Sequence, residues 1–525
     1  MSTTVPVWGT GIETVDIDGR PYRMYTQRPR LLNELLALAD RWGDRPHVIQ
    51  GDRTLGFAAF REEVGCRGQD LFARGVRPGD RVAILGWNSP EWIINFWATV
   101  CVGGVAVLVN AWWSPTELHE ALNSVRPRLV LADDRLRDRV GDEYETAPWV
   151  RSDSPGTGAQ VPSAGHENDD AVIIFTSGTS GRPKAALLSH RSLLAGLQML
   201  LHITRRLPHQ VEETTGEAAL HTGPMFHVGG VQTLLRAVCV GDTLVMPRGR
   251  FDPADVLRLI EERRIRRWSA VPTMLTRVIE HPDARVRDVS SLRALTVGGA
   301  AAHPELLERV RTGFPGVEPR IATGFGLTEN GGQAVAASGR DTVARPGSTG
   351  RTLPCVEMRI VGATETSDGE IQFRSPTQMT AYIGEEGDGP IDSEGWLSTG
   401  DLGRVDDDGF LWVTGRSKDM IVRGGENIAP AAVERALLRL PYVDDAVVFG
   451  VADPDLGEDV AAIVVTPSPQ DLGRVREGLR GELASFAIPR HWVFQSEPFQ
   501  ENHAGKVERA KVIEKARACL AVREA

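Results

Sequence analysis

A nine-residue segment at positions 176–184, TSGTSGRPK, has the composition of a loop that binds an anion. Glycines let the backbone turn tightly and bring its amides close to an anion, hydroxyl groups add donors, and Lys184 adds a positive charge. The glycines and hydroxyl residues are Thr176, Ser177, Gly178, Thr179, Ser180 and Gly181. The segment is not a Walker A loop, because Ala185 follows the lysine where that motif requires Ser or Thr. We therefore predict a phosphate-binding loop of another kind.

Lysine is scarce in this chain, which contains 59 Lys and Arg residues in total. The five lysines are Lys184, Lys418, Lys506, Lys511 and Lys515. Since arginine serves elsewhere, a retained lysine indicates a site that needs a compact point charge rather than a planar guanidinium. Lys511 and Lys515 lie near the end of a predicted helix, where chance retention is a sufficient explanation. The other three lie beside glycine-containing motifs.

The segment at 176–184 resembles the phosphate loop of the adenylate-forming (AMP-binding) superfamily, and in its motifs the chain is most similar to acyl-CoA synthetases and fatty-acid–CoA ligases. A second segment, ATGFGLTE at 322–329, resembles the family's aromatic-Gly-x-Thr-Glu motif. The resemblance implies that Phe325 stacks on adenine, that Thr328 contacts the α-phosphate and that Glu329 holds Mg²⁺. One carboxylate plus substrate phosphates suits Mg²⁺, which keeps several waters. The flanking glycines, Gly324 and Gly326, belong to the same nucleotide site.

Further motifs follow the family's order along the chain. Gly299 and Ala300 resemble the segment that packs on adenine and borders the acyl pocket. The segment WLSTGD at 396–401 resembles Trp-x-x-Thr-Gly-Asp, which implies that Asp401 binds the ribose hydroxyls. The segment GRSKD at 415–419 resembles the junction between two domains. There Arg416 would contact the ribose side of the nucleotide, and Lys418 would be the hinge residue.

Two motifs near the end of the chain concern the reaction itself. Gly424 and Gly425 resemble the glycine segment that faces the pantetheine tunnel of CoA ligases, which favours CoA as the acceptor. Lys506 resembles the lysine that enters the active site during adenylation, where its charge would stabilise the approaching carboxylate and α-phosphate. The chain departs from the family just before it, because Gln500 replaces a proline and Glu501 introduces an acid. Glu501 could slow adenylation or accommodate an unusual substrate.

The segment PMFHVGG at 224–230 resembles the part of the family that lines the acyl pocket. His227 would gate the path between the acyl and CoA sites, and a histidine can change protonation near neutral pH. A lone histidine beside apolar residues can equally be a core residue. The motif context favours the gate.

These motifs predict an ATP-dependent carboxylic acid–CoA ligase that uses ATP, Mg²⁺ and CoA and acts in two steps. The acid and ATP form an acyl adenylate and pyrophosphate, and CoA then yields acyl-CoA and AMP. One alternative is an adenylating enzyme that loads a carrier protein or activates an uncommon acid such as nitrite. Another is a degenerate nucleotide-binding protein without ligase activity.

The elements that position these residues indicate an α/β fold. Buried strands alternate with helices, for example the strand at 81–85, a helix that starts at Ser89-Pro90-Glu91 and the strand at 105–109, which is typical of βαβ units and a parallel sheet. The resemblance divides the chain into an N-terminal adenylation domain, 1–416, and a mobile C-terminal α+β domain, 417–525. The first would contain two βαβ subdomains and a small β-rich one, and the active site would lie at the interface.

Composition restricts the class of protein further. The chain has 525 residues and a net charge of −11, which argues against a general nucleic-acid binder. Its five scattered cysteines include no pair at zinc spacing, and its start lacks the pattern of a signal peptide. Its longest apolar region is interrupted by polar residues and glycines, so no integral membrane segment is expected. We predict a cytoplasmic enzyme of small molecules that could also bind a carrier protein or form a homodimer.

Overall fold

The computed structural model describes residues 6–524, with gaps. The positions outside the description within that range are 151–164, 178–182, 214–215, 300–301, 303, 319, 365–367, 385–388, 424–425, 454–455, 468–471, 481, 484 and 503–504. The described residues form two compact units. The first comprises residues up to 346, with 350–358 and 373–397, and the second comprises 347–349, 359–372 and residues from 398 onward.

The strands are β1 (Ile12–Ile17), β2 (Arg20–Tyr25), β3 (Pro46–Gln50), β4 (Arg53–Gly56), β5 (Arg81–Leu85), β6 (Val105–Val109), β7 (Leu129–Ala132), β8 (Thr146–Pro148), β9 (Asp170–Ser177), β10 (Pro183–Ser189), β11 (Ala218–His221), β12 (Thr243–Met246), β13 (Arg267–Ala270), β14 (Ala294–Val297), β15 (Ile321–Leu327), β16 (Gly332–Ser338), β17 (Arg351–Thr352), β18 (Glu357–Val361), β19 (Gly369–Arg374), β20 (Ala381–Ile383), β21 (Leu397–Val405), β22 (Leu411–Arg416), β23 (Ile421–Arg423), β24 (Glu426–Ile428), β25 (Asp445–Asp453), β26 (Gly457–Val465) and β27 (His491–Gln495).

The α-helices are α1 (Leu32–Leu36), α2 (Phe57–Ala73), α3 (Pro90–Cys101), α4 (Pro115–Val125), α5 (His190–Ile203), α6 (Val228–Val240), α7 (Pro253–Glu262), α8 (Pro272–Glu280), α9 (Pro304–Gly313), α10 (Arg340–Ala344), α11 (Pro430–Leu438), α12 (Leu472–Leu479) and α13 (Arg509–Glu524). Among the described helices, none combines the length and the hydrophobicity that a membrane span requires.

The first unit contains a seven-stranded sheet with the order β20-β10-β9-β6-β5-β7-β8. Its central strands are parallel, and β10 and β20 add an antiparallel edge. All five residues of β6 are buried, as expected for a strand covered on both faces. The sheet carries the phosphate-loop segment, which connects β9 to β10.

A second sheet of the first unit has the order β17-β16-β15-β14-β13-β11-β12-β3-β4. Strands β15, β14, β13, β11, β12 and β3 are parallel, so their carboxyl ends meet at one edge. In open α/β sheets ligands bind at that edge. The motif at 322–329 lies where β15 reaches it.

The second unit contains β26 paired with β25, β23 and the parallel strand β27, with helices α11 and α12 packed on a core that includes Val433 and Leu479. In its other sheet, β21 and β22 pair antiparallel. Mixed strands and helices of this kind fit the α+β module predicted from the sequence. The boundary predicted at 416/417 stays a prediction.

Local signals position helix α3, whereas the segment before it departs from its sequence pattern. Ser89 caps α3, because its Oγ accepts a hydrogen bond from Trp92 N at 3.2 Å, and Pro90 occupies the first helical position. The amphipathic pattern at 31–42 predicts a single α-helix. Instead, α1 is short and continues as a 3-10 helix, Ala37–Trp42, which tightens the last turns while Trp42 stays buried.

Candidate active site

The phosphate-loop segment leaves one strand and returns on the next. β9 and β10 pair antiparallel, so Ser177 lies opposite Pro183 and Thr176 opposite Lys184. This register places the first hydroxyl residue of the motif and its lysine beside each other at the end of the sheet. The intervening candidates Gly178, Thr179, Ser180 and Gly181 lie outside the described residues, as do Ala300, Gly424 and Gly425.

Lys184 and Glu329, which are far apart in the sequence, both contact Tyr382. The Lys184 Nζ lies 5.1 Å from the centroid of the Tyr382 ring. The Tyr382 hydroxyl donates a hydrogen bond to Glu329 Oε1 at 2.6 Å. The first unit therefore brings the lysine of the phosphate loop and the proposed metal carboxylate onto one side chain. The sequence interpretation did not name Tyr382, which belongs to none of the glycine-containing motifs.

The Glu329 carboxylate is suited to a magnesium ion that substrate phosphates also hold. It is half-buried at a short 3-10 helix, Thr328–Asn330, directly after β15. Among the described residues no group of three or more His, Cys, Asp or Glu side chains could hold a metal by itself. A single hard carboxylate oxygen fits Mg²⁺, which takes its remaining ligands from water and phosphate.

Close packing of β15 against β16 positions the aromatic residue of this motif. The pairing shifts register between Phe325 and Gly326. A Cβ on Gly326 would lie 2.2 Å from Gly332 O, so only glycine allows the two backbones to approach this closely. Phe325 is half-buried, and its ring lies 5.9 Å from that of Phe373.

Strand β14 continues this edge of the sheet, because it lies parallel to β15 with Val297 opposite Thr323. Gly299 lies two residues after Val297, and Phe325 lies two residues after Thr323, so Gly299 and Phe325 lie at adjoining strand ends. Gly299 is exposed there. This placement agrees with a shared role beside the adenine, which stays a prediction.

His227 lies at the N-terminus of α6, where it is the capping residue but makes no side-chain cap bond. Its ring lies 4.7 Å from that of Phe226, which in turn contacts Trp112 edge-on at 5.3 Å. Trp87 packs edge-on against Trp112 at 5.2 Å. His227 is half-buried at the end of this row of rings, a position that suits the gate predicted for it.

A polar side chain of α6 also reaches the turn after Glu329. Gln232 Nε2 donates a hydrogen bond to Gly331 O at 3.2 Å. The neighbouring Asn330 is fully buried, and neither the oxygen nor the nitrogen of its side-chain amide has a hydrogen-bond partner among the described residues. Buried amides without a partner are rare and indicate a ligand or an ordered water.

In the second unit, Asp401 and Arg416 lie opposite each other on β21 and β22. Arg416 Nε donates to Asp401 Oδ1 at 3.1 Å, with Asp401 nearly buried and Arg416 exposed. A carboxylate oriented by arginine is a suitable acceptor for the two hydroxyls of a ribose. The pair predicted from separate motifs therefore lies together.

Lys506 lies at the end of a tight turn that begins at Asn502, and two hydrogen bonds between these residues close the turn. Asn502 N donates to Lys506 O at 2.7 Å, and Lys506 N donates to Asn502 Oδ1 at 3.1 Å. Gly505 allows the turn, because its φ of 73° favours glycine. Within the second unit, partial desolvation by neighbouring atoms and the charge of Arg416 lower the pKa of the exposed Lys506 ammonium. An incoming anion would relieve this repulsion.

The unusual acid Glu501 does not share a face with Lys506. Glu501 pairs with Val507 across the turn, and successive residues of an extended chain point to opposite sides. Desolvation by burial raises the pKa of Asp445, and the charge of Glu501 contributes to that increase. The predicted hinge residue, Lys418, lies in an exposed 3-10 helix, Ser417–Asp419, that directly follows β22.

Two protein-family models match this chain. A sequence model described as AMP-binding enzyme matches residues 36–383, and one described as AMP-binding enzyme C-terminal domain matches residues 432–506. The chain belongs to the AMP-binding enzyme family. The resemblance inferred from the motifs is confirmed.

Among curated relatives, the indoleacetate–CoA ligase of Aromatoleum aromaticum is 32% identical over 498 residues, 88% of this chain and 93% of that protein. A 3-[(3aS,4S,7aS)-7a-methyl-1,5-dioxo-octahydro-1H-inden-4-yl]propanoyl:CoA ligase of Mycobacterium tuberculosis is 32% identical, with 90% and 96% covered. The o-succinylbenzoate CoA synthetase of Bacillus subtilis, solved with its acyl-adenylate intermediate, is 28% identical, with 91% and 97% covered and a TM-score of 0.80.

These relatives confirm the predicted class of enzyme, an AMP-forming acid–thiol ligase of α/β fold. A further structure of the Bacillus subtilis synthetase contains ATP and a magnesium ion, at 28% identity and a TM-score of 0.79. ATP, Mg²⁺ and CoA are therefore the cofactors and co-substrates of this family member, as the motifs predicted.

Proposed function

We propose that this ligase joins CoA to a carboxylic acid that carries a ring. The row of rings Trp112, Phe226 and His227 at the start of α6 is the observation that carries this proposal. Aromatic faces and edges bind a flat or fused ring with favourable geometry. The named acids of the relatives described above, indoleacetate, a substituted indenyl propanoate and o-succinylbenzoate, also contain rings.

The proposal extends to a polar group on that ring. Asn330 has a buried amide that finds no partner in the part of the chain that the structure describes, and Gln232 on α6 donates to Gly331, the next residue of the turn. A keto, hydroxyl or second carboxyl group of the acid could pair with such an amide, which otherwise costs free energy to bury. We therefore infer a cyclic acid with at least one hydrogen-bonding substituent.

In the first step, the acid's carboxylate attacks the α-phosphorus of ATP and pyrophosphate leaves. We assign Thr328 and Lys184 to the phosphates, Asp401 and Arg416 to the ribose, and Phe325 to the adenine. Lys506 would stabilise the negative charge that gathers between the carboxylate and the α-phosphate. Mg²⁺ held by Glu329 would supply further positive charge to the phosphates.

In the second step, the CoA thiolate attacks the acyl carbon and AMP leaves, because the adenylate is a mixed anhydride with a good leaving group. We propose that the C-terminal domain, residues 417–525, turns about Lys418 between the steps. That motion would withdraw Lys506 and present Gly425 to the pantetheine, while His227 opens the path to the acyl carbon.

The test is acid-dependent exchange of pyrophosphate into ATP, followed by thioester formation after CoA is added. The panel contains aryl and fused-ring acids, with and without keto or hydroxyl groups, and straight-chain acids of matched carbon number. We expect a substituted cyclic acid to give the highest kcat/KM. Preference for straight-chain acids would contradict the proposal. Acyl transfer only to an amine or a holo-carrier protein would assign another acceptor, and pyrophosphate exchange supported only by nitrite would assign another acid.

A further inference from the structure

Tyr382 contacts the two charged side chains that the proposed first step places around the phosphates. We propose that Tyr382 is a positioning residue that sets the Glu329 carboxylate for the magnesium–ATP complex and holds Lys184 beside it. The inference rests on the roles proposed above for Glu329 and Lys184. It adds a residue that the motif resemblance did not supply.

Strand pairing accounts for the contact with Lys184. β20 pairs antiparallel with β10, and Tyr382 lies opposite Ala186. Residues opposite each other share a face of the sheet, and Lys184 is two positions from Ala186, so Lys184 is a diagonal neighbour of Tyr382 on that face. The ammonium lies 5.1 Å from the ring centroid, within the range of a cation–π interaction.

The backbone just before Tyr382 is tied to both partners. Met379 N donates to Glu329 O at 2.8 Å, and Thr380 N donates to Leu187 O at 2.8 Å. The segment thus links the 3-10 helix that carries Glu329 to the strand that carries Lys184. Tyr382 belongs to a short, rigid connection rather than to a free loop.

The hydroxyl group of Tyr382 defines the chemistry of the Glu329 contact. A phenol that donates to a carboxylate at 2.6 Å makes a charge-assisted hydrogen bond, which restricts the side-chain rotamer. The lone pairs of the carboxylate are then held in a set direction for a hard cation. The ring face meanwhile attracts the ammonium of Lys184, so one side chain orients both charges.

Two substitutions separate these effects. Tyr382→Phe removes the hydroxyl and keeps the ring, whereas Tyr382→Leu removes both. Calorimetry measures binding of α,β-methylene-ATP, which cannot be cleaved between its α- and β-phosphates, once with Mg²⁺ and once with EDTA. We expect Tyr382→Phe to weaken binding about tenfold with Mg²⁺ and to leave binding in EDTA unchanged. Tyr382→Leu weakens binding in both conditions.

The variants Glu329→Gln and Tyr382→Phe/Glu329→Gln complete a double-mutant cycle. If Tyr382 acts through Glu329, the double variant binds no more weakly than Glu329→Gln alone. Wild-type binding by Tyr382→Phe, or equal weakening with Mg²⁺ and with EDTA, would overturn the inference while the role of Glu329 stands. Unchanged Mg²⁺-dependent binding in Glu329→Gln would instead remove the proposed role of Glu329, and the inference with it.

Discussion

At the scale of single residues, we propose that the charge of Lys506 acts in the first step. Its pKa is lowered by desolvation and by Arg416, so the ammonium repels its neighbour until an anion arrives. We expect Lys506→Ala to reduce acid-dependent pyrophosphate exchange by about 10²–10³-fold, the usual loss when a preorganised electrostatic group is removed. We expect thioester formation from a presynthesised acyl adenylate and CoA to be retained, because the proposed motion withdraws Lys506 before the second step.

Lys511→Ala is the matched control for this variant. Lys511 lies in α13 and pairs with Glu508 at 2.9 Å, and the side chain is largely exposed. We expect wild-type exchange, since an exposed pair of this kind contributes little. Equal losses in both half-reactions of Lys506→Ala would show that the lysine acts on structure rather than on adenylation.

Several residues of the candidate site could be predicted from the sequence because they stand in contiguous motifs. Asp401 and Arg416 come from different motifs, and strand pairing places them 3.1 Å apart. Tyr382 could not be predicted in this way, because its hydroxyl bonds a residue 53 positions away. Local composition does not encode such a contact, which only the order of strands creates.

At the scale of elements, the packing of β15 against β16 sets the position of Phe325 and Thr328. A Cβ on Gly326 would lie 2.2 Å from Gly332 O and 2.6 Å from Gln333 Cα, so the strands must separate to accept alanine. We expect Gly326→Ala to lower the melting temperature by several degrees, through about 1–3 kcal/mol of overpacking. ATP affinity falls with it, as measured by calorimetry.

Gly65→Ala supplies the control at the same scale. Gly65 lies within α2, and no neighbouring atom lies within 4 Å of a Cβ built there. Alanine in a helix interior is more favourable than glycine by about 0.5–1 kcal/mol. A melting temperature at or above the wild-type value, with normal ATP affinity, is expected. A loss equal to that of Gly326→Ala would refute the packing argument.

The elements that could be predicted from the sequence are those with a clear hydrophobic pattern or a helix-capping residue. The strand Arg81–Leu85 and the capped start of α3 agree with their sequence patterns. The pattern at 31–42 did not predict the change to a 3-10 helix, because burial of Trp42 in the core overrides the helical period. The alternation of strands and helices indicates parallel sheets, but it does not specify the strand order.

At the scale of the whole molecule, the two units carry buried groups with opposite responses to pH. Burial raises the pKa of Asp445 in the second unit to about 6. The negative charges of Glu434 and Glu501 contribute to this increase, and the positive charge of Arg509 opposes it. The folded state therefore binds this proton more tightly than the unfolded chain, whose carboxyl titrates near about 4. The stability from this group is complete below about pH 4 and is lost as the pH rises to 6.

We therefore expect Asp445→Asn to stabilise the second unit at pH 7. The free energy of unfolding of this variant should also change less than that of the wild type between about pH 4 and 6. Calorimetric scans at pH 5 and pH 7 measure this, with Asp444→Asn, an exposed neighbour, as the control. In the first unit, burial lowers the pKa of His47, His190 and His221 to about 4, so that unit loses stability as the pH falls from about 6.5. A larger pH dependence in Asp445→Asn than in the wild type would contradict the assignment.

Strand β20 forms one edge of the seven-stranded sheet although it is synthesised long after the strand it covers. Until residues 381–383 leave the ribosome, β10 presents an unpaired edge, which can recruit another chain. The same three residues bring the tyrosine that contacts Lys184 and Glu329. A nascent chain from which these residues have not yet emerged is therefore both prone to aggregate and unable to arrange these two charges, and the emergence of Ile383 from the ribosome ends both conditions at once.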